Sequence, residues 1–136
     1  MARELVWDDR YTVGVKRLDD QHRSIIFLIN EVSTLFGKTS DEVEINQILQ
    51  KVKEYANDHF LSEEQLLEKY KYYGLDDHKK EHRMYEDTIR NFEQNIRNVN
   101  VDTRVELLEF LADWWMGHIQ GSDMEYRRFL NNNGVF

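Results

Sequence analysis

Apolar residues recur along this chain in four stripes at helical spacing, and every stripe contains histidine. The first runs His22, Ile25, Ile29, Val32, Phe36, stepping by three and four residues, and Ile26, Leu28 and Leu35 widen it. This spacing predicts a helix over 20–36, with Asp19 or Asp20 as N-cap and Gly37 as its close. The second stripe is Ile45, Leu49, Val52, Ala56, His59, Glu63, Leu66, Tyr70, starting near Ser40 or Asp41. The third, Leu75, His78, His82, Tyr85, Ile89, Phe92, Ile96, predicts a helix over 76–98, with Asn98 and Asn100 marking the next turn. The fourth, Val105, Leu108, Leu111, Trp115, His118, begins after Asp102 or Thr103 and is flanked by Leu107, Phe110 and Trp114. Tyr73-Gly74 reads as the turn between the second and third helices.

Four amphipathic helices with short links predict an all-α fold, an up-down-up-down four-helix bundle with an ordered N-terminal arm and a short C-terminal helix. The expected organisation is one domain over 1–136, with the arm at 1–18 and the bundle at 19–131. The arm carries Trp7, Tyr11, Val13, Gly14 and Val15 without helical period, and Trp7 is expected to be buried against the bundle. After His118 the fourth stripe breaks. Gly121 reads as a helix end, and Ser122-x-x-Glu125 as a capping box opening a short helix over 123–131. His118 and Asp123 are five residues apart, a rotation of about 140° on a regular helix. A break or a π-bulge would let both face one site.

Composition narrows the function classes. The 136 residues include no cysteine, so disulfides, thiolate zinc sites and cysteine nucleophiles are excluded. The net charge of −8 argues against nucleic acid as a partner. No apolar run approaches the roughly 20 residues of a membrane span, and MARELVWDDRY lacks the apolar segment of a signal peptide. A cytoplasmic protein with no membrane partner is the expectation.

The chemistry lies in what interrupts the stripes. All five histidines of the chain, His22, His59, His78, His82 and His118, fall on inward positions, and each helix supplies at least one. One such histidine reads as a core side chain bonded to a neighbour; five of five on four converging helices read as a ligand set. Glu63 joins them because it lies in a stripe one turn from His59, and a buried unpaired carboxylate is costly. Asp123 joins if the helix break turns it inward. Glu64 and Glu68 read as solvated charges, and Tyr70 and Tyr85 as packing residues.

Seven donors exceed one tetrahedral zinc. Two roughly octahedral metals offer about twelve positions. Five imidazoles, two bridging carboxylates and a bridging oxide or hydroxide fill all but one. None of the histidines follows a Glu at three residues' distance, so the Glu-x-x-His pattern of carboxylate-rich di-iron bundles is missing. Imidazole also suits zinc, copper and nickel, so residue types alone do not fix the metal.

With these residues in order, nearly the whole chain resembles the hemerythrins, and most of all the single-domain bacterial ones. The resemblance rests on the Trp7-Asp8 arm, Asp-Gln-His at His22, His59-x-x-x-Glu63, His78-x-x-x-His82 and His118-x-x-x-x-Asp123. It implies reversible O2 binding at a non-haem di-iron centre, two Fe ions with an oxo or hydroxo bridge. It implies that His78, His82 and His118 hold one iron and His22 and His59 the other, with Glu63 and Asp123 bridging. It further implies an apolar O2 pocket at Ile25, Phe60, Trp114, Trp115 and Ile119, in which the bulk of Trp115 narrows ligand access. An oxygen carrier, store or delivery protein is the expected role, without catalytic residues. An O2 or redox sensor, a di-iron peroxidase or oxidase, and a nitric-oxide-handling protein are the alternatives.

Overall fold

The four stripes fold as four long helices in the computed structural model of the chain, which describes residues 5–38, 41–94 and 101–136. They are α1 (Lys16–Phe36), α2 (Glu42–Lys69), α3 (Leu75–Gln94) and α4 (Val101–His118). A π turn (Ile119–Asp123) leads from α4 into a shorter α5 (Met124–Asn132). Helix α1 packs on α2 and α4, and α3 packs on the same two, which closes an up-down-up-down bundle. Of the expected turn markers, Ser40, Asn98 and Asn100 lie outside the described residues, as does Ile96 of the third stripe.

Local chemistry explains the helix ends. Asp41 caps α2, its carboxylate accepting from the N–H of Val43 at 2.8 Å and of Glu44 at 3.4 Å. At the other end Lys71 takes a left-handed φ of 58°, and Tyr72 N–H reaches back to the Leu67 carbonyl at 2.8 Å. The turn into α3 therefore begins at Tyr70, earlier than Tyr73-Gly74. Gly74 matters for a different reason: a Cβ there would meet the Tyr72 ring at 2.7 Å.

Helix α1 starts at Lys16, before the expected cap at Asp19 or Asp20. Asp19 is instead a buried tie to the arm, accepting from Val13 N–H at 2.8 Å and from the Thr12 hydroxyl. The arm is held further along by Asn30, which donates to the Leu5 carbonyl at 2.7 Å and accepts from its N–H at 2.9 Å. Trp7 is half-buried rather than buried, with Tyr11 edge-on to its ring and the Arg23 guanidinium 4.6 Å from it. Val105 also departs from expectation. It is exposed, while Leu107 and Leu111 take the inward positions of α4.

Among the described residues the interior has two apolar clusters. The larger contains Ile25, Ala56, Phe60, Tyr85, Trp115 and Ile119; the smaller contains Leu18, Leu67, Tyr126 and Leu130. Helices α1 and α2 pass from one to the other through polar side chains: Leu18, His22, Ile25 on α1, and Phe60, Glu63, Leu67 on α2. A buried polar layer thus lies between two apolar ones. A fully buried Leu or Ile contributes about 1.5–3 kcal/mol, so the two clusters can carry the cost of a layer that must otherwise find its own compensation.

Candidate metal centre

The polar layer consists of the seven side chains that break the stripes. His22, His59, Glu63, His78, His82, His118 and Asp123 are all buried, none more than 5% exposed. Helix periodicity places six of them, and the π turn places the seventh. Its five residues rotate Asp123 back toward the face of His118, so the chain does not stop at Gly121. The expected capping box is absent: α5 has no side-chain cap, and Ser122 bonds to Glu81 instead.

The seven side chains form two groups, Glu63 with His78, His82 and His118, and Glu63 with His22, His59 and Asp123. Within each group the potential ligand atoms lie within 4.8 Å of one another. The two carboxylates face both groups with different oxygens. Glu63 Oε1 lies 3.0 Å from His82 Nε2, 3.6 Å from His118 Nε2 and against His78 Nε2, while Oε2 lies 3.0 Å from His59 Nε2 and 3.9 Å from His22 Nε2. Asp123 repeats the division. Its Oδ1 is 3.0 Å from both His78 and His118, and its Oδ2 is 3.0 Å from His22.

The donor geometry fits cations better than it fits a hydrogen-bonded cluster. Both Asp123 oxygens are buried beside imidazole nitrogens, yet neither has a hydrogen-bond partner of acceptable direction. The Nε2 atoms of His22 and His59 face each other at 3.0 Å, and those of His82 and His118 at 3.2 Å. His59, His82 and His118 each place Nδ1 against an acceptor oxygen, of Gln21, Glu64 and Glu81 respectively. That tautomer leaves the Nε2 lone pairs pointing inward. Lone pairs so close repel unless a cation or a shared proton lies between them.

Proton affinities follow from the same crowding. Burial favours the neutral carboxyl, but the surrounding imidazoles, His59 first, outweigh it and hold Glu63 well below its ordinary range. Burial and the nearby Glu63 also raise Asp123, and His118 and His22 outweigh them, so it too is held low. His78 is opposed by burial yet pushed up to about 9 by Asp123 and Glu63, and His118 is raised well above its usual value by the same pair and Glu81. Burial lowers His59, against the pull of Glu63. Protons thus balance two buried carboxylates in the metal-free protein, and bound metal would displace them.

Four contacts escaped the sequence reading. Glu64, expected to be a solvated charge, bonds His82 Nδ1 at 2.8 Å because one turn of α3 lies over it. Glu81 bonds His118 Nδ1 at 2.7 Å, and Gln21 bonds His59 Nδ1 at 2.7 Å. A fourth, Tyr126, donates to Glu63 Oε2 at 2.9 Å; its spacing of three from Asp123 on α5 was the available signal. Burial, with the nearby carboxylates, raises the Tyr126 hydroxyl well above its usual range, so it stays a donor.

Apolar rings close the layer from above. Phe60 lies flat on His82, with centroids 3.9 Å apart, and stacks on Trp115 at 5.4 Å. Trp115 approaches His59 at 5.8 Å and donates its Nε1–H to the Tyr85 hydroxyl at 3.0 Å. Trp114 is half-buried and stacks on His118 at 4.5 Å, on the three-histidine side. Ile25 and Ile119 are buried in the same apolar cluster as Phe60 and Trp115.

Residues 13–130 match the family model described as the hemerythrin HHE cation binding domain. A bacteriohemerythrin of Clostridium acetobutylicum is 32% identical over 127 residues, covering 89% of this chain and 97% of that protein. A hemerythrin of Sipunculus nudus is 33% identical over 125 residues, with 92% of both chains covered. A crystal structure of wild-type hemerythrin superposes with a TM-score of 0.81 at 27% identity, over 93% of this chain and 97% of the other. A match along nearly the whole bundle, with a buried layer of histidines and carboxylates at its centre, makes this chain a member of the hemerythrin family.

Proposed function

We propose that this chain binds O2 reversibly at a non-haem di-iron centre, as an oxygen carrier, store or delivery protein. The observation that supports it most is the division of the polar layer. Glu63 presents one oxygen to His78, His82 and His118 and the other to His22 and His59, and Asp123 divides the same way, one oxygen toward His78 and His118 and the other toward His22. Equal carboxylates and unequal imidazoles leave one metal position short of a donor, which is what a small ligand needs. His78, His82 and His118 would hold the first metal, His22 and His59 the second, and Glu63 and Asp123 both. Nitrogen and carboxylate donors in this proportion suit iron, and family membership supports that choice over zinc or copper. A pair of ferrous ions held by these residues would supply the two electrons on which reversible O2 binding draws.

The protein's share is to place donors and keep water out. Phe60, Trp115, Ile25 and Ile119 would form a dry wall over the layer, Trp115 beside His59 and Phe60 between His59 and His82, and such a wall slows exchange with water and anions. Trp114, which packs on Phe60 and Trp115 and stacks on His118, would extend that wall over the three-histidine side. Tyr126 would fix the Glu63 oxygen turned toward His59. Among the described residues no helix is long and apolar enough to cross a membrane.

Metal analysis together with absorption spectra of the air-exposed, dithionite-reduced and re-aerated protein tests the proposal. Two irons per chain, bands that bleach on reduction, and a new visible charge-transfer band on re-aeration are expected. Direct return to the oxidised spectrum would replace the carrier reading with an oxidase or sensor. Zinc in place of iron would overturn the di-iron reading.

A further inference from the structure

The two histidine groups are backed differently on their outer sides. In the three-histidine group, His82 Nδ1 meets Glu64 Oε2 at 2.8 Å and His118 Nδ1 meets Glu81 Oε2 at 2.7 Å. Glu81 is itself held from the π turn, where the Ser122 hydroxyl lies 2.7 and 2.6 Å from its two oxygens. In the two-histidine group, His59 Nδ1 meets only the neutral amide oxygen of Gln21, at 2.7 Å. His22 Nδ1 is buried and has no hydrogen-bond partner. Anionic acceptors back one group; a neutral amide and an unpartnered nitrogen back the other.

The difference has electronic consequences. A carboxylate that accepts Nδ1–H draws the proton outward and makes Nε2 a stronger donor; it also fixes the ring in its ligating tautomer. An amide carbonyl does less, and an unpartnered nitrogen less again. Glu64 and Glu81 additionally bring negative charge close to one metal position. Their side chains are 26% and 42% exposed, so solvent screens part of that charge. The effect belongs in the range of about 10–100-fold in metal affinity that such outer partners typically carry.

We infer that Glu64, Glu81 and Ser122 are positioning residues that make the His78–His82–His118 position the tighter of two unequal metal sites, so that it fills first and empties last. This inference rests on the two-metal reading above. The third nitrogen favours the same side, so charge must be separated from ligand count. Isosteric variants do that, because Gln in place of Glu keeps an acceptor oxygen and leaves every ligand in place. Gln21→Glu makes the reverse change on the other group. Its amide nitrogen donates to Ser62 Oγ at 3.2 Å, and Arg17 reaches the same hydroxyl at 3.1 Å, so a carboxylate there has a cation nearby.

The experiment is an anaerobic titration of the metal-free full chain with Co2+ against a chromophoric chelator, with helical content followed by circular dichroism. Co2+ reads metal binding independently of O2 chemistry. Wild type should load in two steps of unequal affinity. Glu64→Gln and Glu81→Gln should each weaken the tight step by about 10-fold or more and leave the weak step unchanged. Ser122→Ala should act on the same step to a smaller extent. Gln21→Glu should strengthen the weak step and narrow the gap, and it carries the test if a Glu variant fails to fold. Equal effects on both steps, or none, would overturn the inference while leaving the two-metal reading intact. Wild type that takes up no Co2+ would overturn both.

Discussion

Phe60 lies flat on the imidazole of His82, with ring centroids 3.9 Å apart and 11° between the planes. The same ring is stacked on Trp115 and edge-on to Tyr85. It therefore both packs the apolar cluster and shields the polar layer, and substitution should separate the two roles. Phe60→Leu should keep the fold at a cost of about 1–3 kcal/mol, less than the 3–5 kcal/mol typical of Phe→Ala in a core. It should also quicken anion binding to the oxidised metal centre. Stopped-flow mixing with azide checks this; lowered stability with unchanged azide kinetics would confine Phe60 to packing.

Metal should be part of the stability of this fold. The ligands lie in the layer that separates the two apolar clusters, and an unfolded chain cannot present them together. Ligand that binds only the native state adds about 4 kcal/mol at a thousand times its Kd. In a chain of this length each kcal/mol moves Tm by roughly 3–5 °C, so chelation should lower Tm by about 10 °C or more. Scanning calorimetry with and without chelator is the check, and identical melts would remove metal from the energetics of the fold.

How much of this could be read beforehand depended on whether a signal was local. His59 and Glu63 stood out because they are four apart in an apolar run, and that periodicity is what the folded helix obeys. The turn of Asp123 toward His118 could be anticipated as a geometric need, since five residues of regular helix would have separated them. Partners across helices were not legible in the same way. Glu64 is 18 residues from His82, on the preceding helix, and in sequence it looks like any solvated charge beside a stripe. Gln21 and Glu81 each precede a histidine, yet they bond His59 and His118 rather than their neighbours. The start of α1 was misplaced for a related reason. Asp19 has the composition of a cap, but its partners, Thr12 and Val13, belong to an arm without period.

Tyr85 and Trp115 offer a test of coupling inside the core. The Trp115 Nε1–H donates to the Tyr85 hydroxyl at 3.0 Å, and both side chains are buried. Tyr85→Phe leaves the indole donor unsatisfied, which should cost about 1–3 kcal/mol. Trp115→Phe removes that donor but also leaves a smaller ring beside His59. The double variant should be less destabilised than the sum of the two, by about 0.5–3 kcal/mol. Urea denaturation of the four proteins gives the coupling; strict additivity would mean the hydrogen bond contributes nothing measurable.

Without metal, the layer should make stability depend on pH from both sides. Glu63 and Asp123 are held below their ordinary 4.5 and 3.8, so their contribution is present above those values and is lost as pH falls through the lower folded ones. His59, lowered from 6.5 by burial, acts in the same direction: its contribution is present above 6.5 and is lost as pH falls below it. His78 works oppositely. It is raised from 6.5 to about 9, so its contribution is complete below 6.5 and is lost as pH rises through about 9. His118, raised by the same carboxylates, adds to that alkaline loss. Metal-free protein should accordingly be most stable near about pH 6 to 6.5, losing stability toward acid and toward pH 9. Bound metal replaces those protons and should flatten the alkaline side, since neutral imidazole, not imidazolium, is the ligand. Tm measured across pH 4–10 with and without metal reads the difference, and parallel curves would show that the buried histidines do not exchange protons for metal.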